Sequence, residues 1–364
     1  MRFPEFSGEW EKRKLASIGK FFSGGTPTSS NKDYYDGEIP FIRSGEIHSD
    51  HTELSISAIG YENSSAKMVS KGDLLLALYG ATSGDIAISR MSGAINQAIL
   101  CIRTTQDHLF LKSVWEKHVK NILNTYLQGG QGNLSADIVK NLFFYFPRIE
   151  EQRKIGRLIE LIDQRIAIQN RIIEKYESLI KAIRLRVFSE ILSEYECKQA
   201  IIADVLQYEQ PAKYIVNSTE YLNDSSLTPV LTANKAFILG YTDETSGIYK
   251  KGECIILDDF TLDCKMVDFP FKVKSSAIKI LTPRAGMNLR YIYEYLNYLE
   301  LETTEHKRHY ITEIEPMTIA IPEPNIIERI ADVFNLLNGR LSCSKELLQT
   351  FLLLKRHILH QMFI

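Results

Sequence analysis

The sequence contains few cysteines and no long hydrophobic run. Its five cysteines are scattered and form no C-x-x-C pair, which argues against a disulfide framework or a zinc ribbon and indicates a reducing compartment. No apolar run approaches the roughly 18–20 residues that a membrane span requires, and the N-terminal residues carry no apolar segment of the signal-peptide kind. We therefore expect a cytoplasmic protein without membrane association.

A strong net charge is also lacking. The 364 residues carry 43 Lys+Arg against 45 Asp+Glu, a formal charge of −2. This balance excludes a histone-like polycation but leaves room for a local basic face. Hydrophobic residues make up 45% of the chain, which is ordinary globular composition, and the length predicts two or three domains.

The common catalytic and cofactor motifs are absent as well. The sequence has no G-x-x-x-x-G-K-[ST], no H-E-x-x-H, no G-x-S-x-G and no glycine-rich Rossmann turn, so neither a P-loop nor a dinucleotide site is supported. The glycine-bearing run at 80–85 lacks the P-loop lysine and predicts a turn. We therefore expect this chain to bind no cofactor.

What the sequence does contain is an internal repeat. The segments 146–155 and 321–330 both end a β-rich stretch at a proline and then begin a long helical pattern. Upstream of each, a Lys-Gly-acidic triplet stands at 71–73 and at 251–253. After each triplet come a strand-like run, a helix candidate, a polar loop and a terminal strand. The helix candidates cover 109–127 and 289–302, and the loops cover 128–133 and 306–309.

The helical parts of the repeat follow a heptad pattern. Residues alternate in steps of four and three along both segments, and this 3.5-residue period is typical of a coiled-coil seam. Lys355 interrupts the second seam, and the adjacent Leu354 is expected to take its place. The alternative is two ordinary amphipathic helices that pack on separate domain cores. The principal seam residues are Ile155, Ile159, Ile162, Ile166, Gln169, Ile173, Ile330, Phe334, Leu337, Leu341, Ser344 and Leu348.

This layout predicts an α+β fold. Two β-rich globular domains would be separated by two long antiparallel coiled-coil helices and related by pseudo-twofold symmetry. The first seam would be about 50 Å long at 1.5 Å per residue, and such a spacer suits two half-sites on one face of a DNA duplex. The predicted boundaries are 1–147 and 194–322 for the domains and 148–193 and 323–364 for the helices.

One pattern in the second domain has a catalytic alternative. Asp258 and Asp263, followed by Lys265, resemble the array of metal-dependent nucleases. In such a site two carboxylates hold Mg²⁺ and a lysine stabilises developing negative charge. A hairpin turn rich in aspartate is the structural alternative for the same residues.

A histidine pair nearby raises the question of a zinc site. His306 and His309 enclose two cations, Lys307 and Arg308, which disfavours a metal and indicates a solvated basic loop that could meet phosphate.

Several short stretches together carry a family resemblance. They are 24–27 (Gly-Gly-Thr-Pro), 39–47 (Ile-Pro-Phe-Ile-Arg-Ser-Gly-Glu-Ile), 71–75 (Lys-Gly-Asp-Leu-Leu), 79–88 (Tyr-Gly-Ala-Thr-Ser-Gly-Asp-Ile-Ala-Ile), 95–98 (Ile-Asn-Gln-Ala) and 147–155. In this order, with the duplication and the heptad helices, the chain resembles the specificity subunit of a type I restriction–modification system (the S subunit, HsdS-like).

The resemblance implies a DNA-binding subunit with no catalysis of its own. Each target-recognition domain would read one half of a bipartite, asymmetric sequence in double-stranded DNA. The helices would act as a ruler and would dock two methyltransferase subunits that methylate adenine with S-adenosylmethionine. With restriction subunits added, the complex would cut unmodified DNA using ATP. S-adenosylmethionine, ATP and Mg would therefore be bound by partner subunits.

Loop position and chemistry nominate residues for DNA contact. Arg and Lys can bridge two acceptors of guanine, and Asn and Gln can do so for adenine. Arg43 has an alternative role as the ion-pair partner of Glu46, and Tyr79 could cap a core. A coiled-coil adaptor without a nucleic-acid role is the remaining alternative. The candidates are Thr26, Thr28, Arg43, Ser44, Tyr79, Gln128, Gln131, Asn133, Thr232, Asn234, Lys235, Lys265, Lys307, Arg308, His309 and Tyr310.

Overall fold

The chain forms two compact units. Unit 1 combines Met1–Asn170 with Glu346–Ile364, and unit 2 is Arg171–Lys345. In the described part of the chain, no helix is long and apolar enough to cross a membrane. The computed structural model describes residues 2–127, 133–233, 236–303 and 307–363.

Short strands dominate the globular part of unit 1. Their bounds are β1 Glu11–Lys14, β2 Gly19–Ser23, β3 Tyr35–Ile42, β4 Ser55–Ile56, β5 Lys67–Val69, β6 Leu74–Ala77, β7 Ile86–Ile88, β8 Gly93–Ile95, β9 Ile99–Thr104 and β10 Phe143–Phe146. They form sheets of order β2-β9-β6-β7 and β4-β3-β8-β5, and β1 pairs with β10. Strand β6 buries all four side chains because it has a neighbour on each side and is covered on both faces.

Three helices complete the globular part of unit 1: α1 Ala58–Glu62, α2 His108–Leu127 and α3 Ala136–Asn141. Helix α2 confirms the candidate predicted at 109–127. It buries Trp115, whose indole Nε1 donates to the Gly84 carbonyl at 2.7 Å. Helix α3 begins after Ser135, whose hydroxyl accepts the Ile138 amide as an N-cap.

The first long helix, α4, covers Ile149–Glu194, or 46 residues. It begins just after Pro147. The negative charges of Glu150 and Glu151 in its first turn interact favourably with the positive end of the helix dipole.

The globular part of unit 2 is built from a second set of short elements. Its strands are β11 Lys198–Ile201, β12 Leu206–Glu209, β13 Thr228–Leu231, β14 Ile238–Thr242, β15 Cys254–Asp258, β16 Cys264–Val267, β17 Lys272–Val273, β18 Ile278–Pro283 and β19 Thr318–Ile321. The sheets have the orders β12-β18-β15-β16 and β14-β13-β17, and β11 pairs with β19. The helical elements are α5 Ile202–Val205, α6 Leu289–Tyr298 and a π-helical turn at Tyr310–Ile314.

Helix α6 is shorter than predicted. The pattern predicted a helix from 289 to 302, but α6 ends at Tyr298. Glu300 adopts a φ of 44°, which lies in the left-handed region and is incompatible with a continuing right-handed helix.

The second long helix, α7, covers Pro324–Met362, or 39 residues. Its first residue is a proline, which is favoured there because the first turn lacks acceptors for its amides. All the principal seam residues of α4 and α7 are buried or half-buried.

The two globular parts share their strand connectivity. In unit 1, β3 pairs with β8 in parallel and β6 pairs with β9 antiparallel. In unit 2, β13 pairs with β17 in parallel and β15 with β18 antiparallel. Sheets and long helices of this kind confirm the predicted α+β class. The pseudo-twofold relation stays a prediction.

The stretches of α4 and α7 that meet within unit 1 are antiparallel. Asp163 Oδ1 lies 2.7 Å from Lys355 Nζ. Ile155, earlier in α4, shares a hydrophobic core with Met362, later in α7. The order of contacts therefore reverses between the two stretches.

The stretches within unit 2 follow the same direction. Glu177 Oε1 lies 2.8 Å from Lys345 Nζ. Ile191, later in α4, shares a core with Ile330, earlier in α7.

Lys355 itself occupies the seam, so the expectation that Leu354 would replace it is wrong. Leu354 is 43% exposed, whereas the Lys355 side chain is 19% exposed. Lys355 Nζ lies 2.7 Å from both Glu116 Oε2 and Asp163 Oδ1. Lys112 Nζ bonds the other oxygens of these carboxylates at 2.6 and 3.1 Å. A lysine is accommodated there because two acidic side chains, distant in sequence, compensate its charge.

The same network affects Lys112. Burial alone would lower the pKa of Lys112, but Glu116 and Asp163 raise it above its ordinary value. The two carboxylates therefore favour the charged form of Lys112 despite its burial.

Candidate nucleic-acid interface

Each globular part carries a loop that follows its parallel strand pair. In unit 1, β3 and β8 end at Ile42 and Ile95, so the segments that follow leave the sheet side by side. The Asn96 amide donates to the Ile42 carbonyl at 3.3 Å. Residues 96–98, which we call loop A, therefore lie beside 43–44.

Backbone hydrogen bonds connect loop A to two further candidate segments. The Leu78 amide donates to the Ala98 carbonyl at 2.8 Å, and the Leu134 amide donates to the Leu78 carbonyl at 3.1 Å. Tyr79 follows Leu78 and Asn133 precedes Leu134, so both border loop A. Tyr79 and Asn133 are exposed.

A glutamine in loop A was not among the residues predicted to contact DNA. The Thr26 hydroxyl donates to Gln97 Oε1 at 2.6 Å, and Gln97 is exposed. Its amide can pair with adenine in the way that nominated the other candidates. Its place in the short motif at 95–98 was the signal that could have identified it. Thr28 is exposed and Ser44 is half-buried.

Arg43 adopts the alternative arrangement that its sequence context allowed. Its guanidinium hydrogen-bonds Glu46 and Glu53, and these bonds raise the pKa of Arg43. Burial would raise the pKa of Glu46, but hydrogen bonds from Arg43 and from two backbone amides bring it below its ordinary value. The arginine therefore orders the segment that follows β3.

Unit 2 places a corresponding loop at the same position. Strands β13 and β17 end at Leu231 and Val273. The Lys274 amide donates to the Leu231 carbonyl at 3.0 Å. Residues 274–277, which we call loop B, therefore lie beside Thr232.

Loop B is linked to the basic segment, which we define as residues 307–309. The Asp259 amide donates to the Ala277 carbonyl at 2.8 Å, and the His309 amide donates to the Asp259 carbonyl at 3.0 Å. Arg308 Nη2 lies 3.3 Å from Ser276 Oγ. The structure thus brings together candidate segments that are far apart in the sequence.

The candidates of unit 2 differ in accessibility. Lys307 and Arg308 are exposed, and Lys307 Nζ lies 3.1 Å from Glu313 Oε1. His309 and Lys307 lower the pKa of Glu313 through these contacts. Thr232 is 7% exposed, so mainly its backbone borders the interface.

Two nominated side chains lie in the core instead. His309 and Tyr310 are 2% and 0% exposed. His309 Nδ1 bonds Glu313 at 2.8 Å, and the Tyr310 ring packs 5.5 Å from the Tyr208 ring. These side chains cannot meet a duplex in this conformation, because the chain turns inward as the π-helical turn begins.

Four candidates lie outside the described residues. They are Gln128, Gln131, Asn234 and Lys235.

The array nominated as a nuclease site forms a hairpin turn. Asp258 Oδ1 accepts the amides of Phe260 and Thr261 at 2.9 and 3.0 Å. Asp263 accepts the Thr261 hydroxyl at 3.1 Å. Lys265 Nζ lies 5.7 Å from the centroid of the Phe237 ring. Among the residues that the structure describes, no three His, Cys, Asp or Glu side chains form a group able to hold a metal. The nuclease alternative is therefore not supported.

Comparison with known proteins identifies the class of the first half of the chain. The family model for the type I restriction modification DNA specificity domain matches residues 7–178. The match covers just under half of the chain.

The chain as a whole is similar to specificity subunits of type I restriction enzymes. It is 41% identical over 169 residues to the EcoR124I/EcoR124II specificity subunit of Escherichia coli, a match that covers 42% of each chain. It is 24% identical over 303 residues to the MjaIX specificity subunit of Methanocaldococcus jannaschii, covering 78% of this chain and 67% of the relative. The first match thus spans less than half of its relative.

The fold extends this similarity to the full length. The crystal structure of the type I restriction–modification S subunit from M. genitalium matches with a TM-score of 0.71 at 14% identity, covering 100% of this chain and 99% of that one.

Proposed function

We propose that this chain is the DNA sequence-recognition subunit of a type I restriction–modification complex. It reads a bipartite, asymmetric target with its two globular parts. The observation that carries the proposal is the duplicated arrangement of loops A and B, each set between the end of a parallel strand pair and a polar segment.

The first globular part reads its half-site with neutral polar groups. Thr26, Gln97 and Asn133 border loop A and are exposed. The second part uses cations, because Lys307 and Arg308 are exposed beside loop B. Amides favour adenine and arginine favours guanine, so the two half-sites differ in base composition.

The long helices set the distance between the half-sites and bind the methyltransferase subunits. Both helices expose large apolar residues on a face away from the seam, several of them seven residues apart. Such stripes mark partner surfaces. On α4 they are Leu161, Ile168, Ile172 and Leu179, and on α7 they are Val333, Leu336, Leu347 and Leu354.

Catalysis in this proposal belongs to the partners. Two methyltransferase subunits supply S-adenosylmethionine chemistry at adenine. Restriction subunits, where present, supply ATP-dependent cleavage with Mg. The complex acts in the cytoplasm on double-stranded DNA.

The direct experiment is to co-express the chain with the methyltransferase encoded beside it and to map methylated adenines across the host genome. We expect one bipartite motif that disappears when this chain is omitted. An assembled complex that writes no such motif would contradict the proposal. Mg²⁺-dependent cleavage of DNA by the isolated chain would instead revive the nuclease alternative.

A further inference from the structure

Unit 2 contains a fully buried ion pair next to its basic segment. Asp259 Oδ2 lies 3.0 Å from Lys279 Nζ, and both side chains are 2% exposed. Lys279 Nζ also lies 3.3 Å from the Tyr208 hydroxyl and 5.1 Å from the centroid of that ring. Burying two charges is costly in desolvation, so such a pair is weak evidence for a role in stability.

The second oxygen of Asp259 binds the backbone of the basic segment. Asp259 Oδ1 accepts the amides of His309 at 3.1 Å and Tyr310 at 2.8 Å. Its own amide and carbonyl bond Ala277 and His309. One residue therefore ties loop B to the segment that carries the exposed cations. Hydrogen bonds to an ionised carboxylate are stronger than neutral ones.

Unit 1 shows that the fold does not require charges at this position. Leu78 makes the same two backbone bonds, to Ala98 and Leu134, that Asp259 makes in unit 2. Leu78 is 1% exposed and Leu134 is 0% exposed. With Leu78 at the position of Asp259, sheet register places Leu100 opposite Leu76, as Lys279 stands opposite Leu257.

We propose that Asp259, compensated by Lys279, is a positioning residue for DNA reading by the second globular part. It fixes the backbone at His309 and Tyr310 so that Lys307 and Arg308 are presented to the second half-site. The inference rests on the proposed function and goes beyond it, because it assigns half-site specificity to a residue that DNA does not touch.

Asp259 affects the orientation of the basic segment as well as its attachment. A leucine leaves one backbone bond to the covering segment, whereas the carboxylate of Asp259 adds one oxygen that accepts two successive amides and so orients their peptide planes. A guanidinium reads guanine through two parallel hydrogen bonds and requires a well-defined approach. Loosening the segment should therefore cost specificity at the second half-site and leave the first unchanged.

The test variant replaces the ion pair with the residues of unit 1. Asp259→Leu with Lys279→Leu, after Leu78 and Leu100, removes both charges and leaves no buried charge unpaired. In the complex with the methyltransferase, we expect about tenfold more methylation at sites with one mismatch in the second half, the effect of losing one good base contact. Preference at the first half should not change.

A second readout separates positioning from loss of stability. If the cations of the basic segment disengage, the slope of log Kd against log salt should decrease by about one to two. A variant that is only less stable would lower the amount of active complex and leave this slope unchanged. Asp259→Asn with Lys279→Gln keeps the acceptor for both amides and should restore second-half specificity.

A matched control uses the other buried lysine pair of unit 2. Lys272 Nζ lies 2.7 Å from Glu244 Oε2, and the lysine is 2% exposed. It bonds the Ser246 carbonyl rather than the basic segment. Lys272→Met with Glu244→Gln should leave both half-site preferences and the salt slope at parental values.

The outcomes separate this inference from the proposed function. If the parent writes a bipartite motif and the Leu/Leu variant keeps both its second-half preference and its salt slope, the positioning role is wrong. If the parent writes no bipartite motif, the proposed function fails first. Should the Leu/Leu variant not assemble, Asp259→Glu keeps the charge and displaces the acceptor, and unchanged specificity there would overturn the role equally.

Discussion

The end of the central strand is covered differently in the two globular parts. In unit 1, Leu78 is covered by Leu134, and both are apolar and buried. In unit 2, Asp259 stands in the same backbone setting and is covered by His309. The same backbone hydrogen bonds therefore hold this position in both units. The side chains at the position can differ in polarity and suit the neighbouring loop.

The side chains at the starts of the long helices also differ in polarity between the two units. Gln152 Nε2 donates to Gln106 Oε1 at 2.8 Å and to the Pro147 carbonyl at 2.9 Å, and its Oε1 accepts the Asp107 amide at 3.1 Å. The corresponding residue at the start of α7 is Ile327, which is half-buried against the core of unit 2. A polar junction in one unit is replaced by an apolar one in the other.

Both units nevertheless place a charged network between the domain helix and the long helices. In unit 2, Glu294 is fully buried and Arg184 Nη2 lies 2.7 Å from its Oε2. Arg290 and Asn338 approach the other oxygen at 3.6 and 3.1 Å. In unit 1, Lys355 takes the place of Arg184 as the cation contributed by the other long helix.

The largest expected effect comes from reversing that cation in unit 1. Lys355→Glu would put a third carboxylate beside Glu116 and Asp163, with only Lys112 to compensate them. We expect a loss of about 3–5 kcal/mol in the free energy of unfolding, as for other broken buried pairs. Thermal and urea unfolding of the chain without partner subunits would measure this loss.

The control for this change is an exposed pair in unit 2. Lys345 and Glu177 are 53% and 51% exposed, so Lys345→Glu should cost about 1 kcal/mol or less. Equal losses for the two variants would show that the network in unit 1 contributes nothing beyond a surface pair.

A smaller loss is expected at the polar junction. Gln152→Ala leaves the Asp107 amide and the Pro147 carbonyl without their partner, at a cost of about 1–3 kcal/mol. Gln164→Ala, on the exposed face of the same helix, should stay within about 0.5 kcal/mol. Urea unfolding midpoints compare them, and a neutral Gln152→Ala would contradict the junction described here.

Lys307 should act on affinity rather than on base preference, in contrast to Arg308. Lys307→Ala is expected to weaken DNA binding at every sequence and to reduce the slope of log Kd against log salt by about one, because one phosphate contact is lost. Titrations of the assembled complex at several salt concentrations measure the slope. An unchanged slope would remove Lys307 from the interface.

The smallest expected effect is a difference in stability between the two Lys-Gly-acidic triplets, 71–73 and 251–253, that depends on pH. Burial raises the pKa of Asp73, but hydrogen bonds from Arg103 and the Ser70 amide outweigh this and lower it below its ordinary value. A depressed folded-state pKa gives stability that is present above the unfolded-state pKa and is lost as the pH falls through the folded-state pKa.

Asp73→Asn should therefore cost about 1 kcal/mol or less near pH 6. The difference should decrease as the pH is lowered from 6 to 3, because the unfolded chain takes up a proton below the ordinary aspartate pKa of about 4. Thermal unfolding of both proteins at the two pH values measures it. Glu253→Gln at the exposed counterpart in unit 2 should change the stability by less than about 0.5 kcal/mol, and equal losses for the two variants at pH 6 would refute the assignment.

Local patterns predicted much of the architecture. The seam residues could be identified because a heptad period needs only neighbours along the chain, and each of them is buried or half-buried. Lys355 could not be explained that way, because Glu116 and Asp163 compensate it from distant helices.

The exposure of the candidate DNA-binding residues was harder to predict, because it too depends on residues that are distant in sequence. A run of cations around His309 indicated an exposed loop, but Asp259 draws the backbone at His309 and Tyr310 inward from fifty residues away. Gln97 carried no signal beyond its place in the short motif at 95–98. Its importance appears only where the sheet brings it beside Thr26.

The most direct test of independent reading compares three methylation maps. Host genomes would be mapped with the parent complex, with Gln97→Ala and with Arg308→Ala. The account predicts one bipartite motif in the parent, relaxation of only one half with Gln97→Ala, and relaxation of only the other half with Arg308→Ala. Equal relaxation of both halves by either variant would contradict recognition by two independent domains.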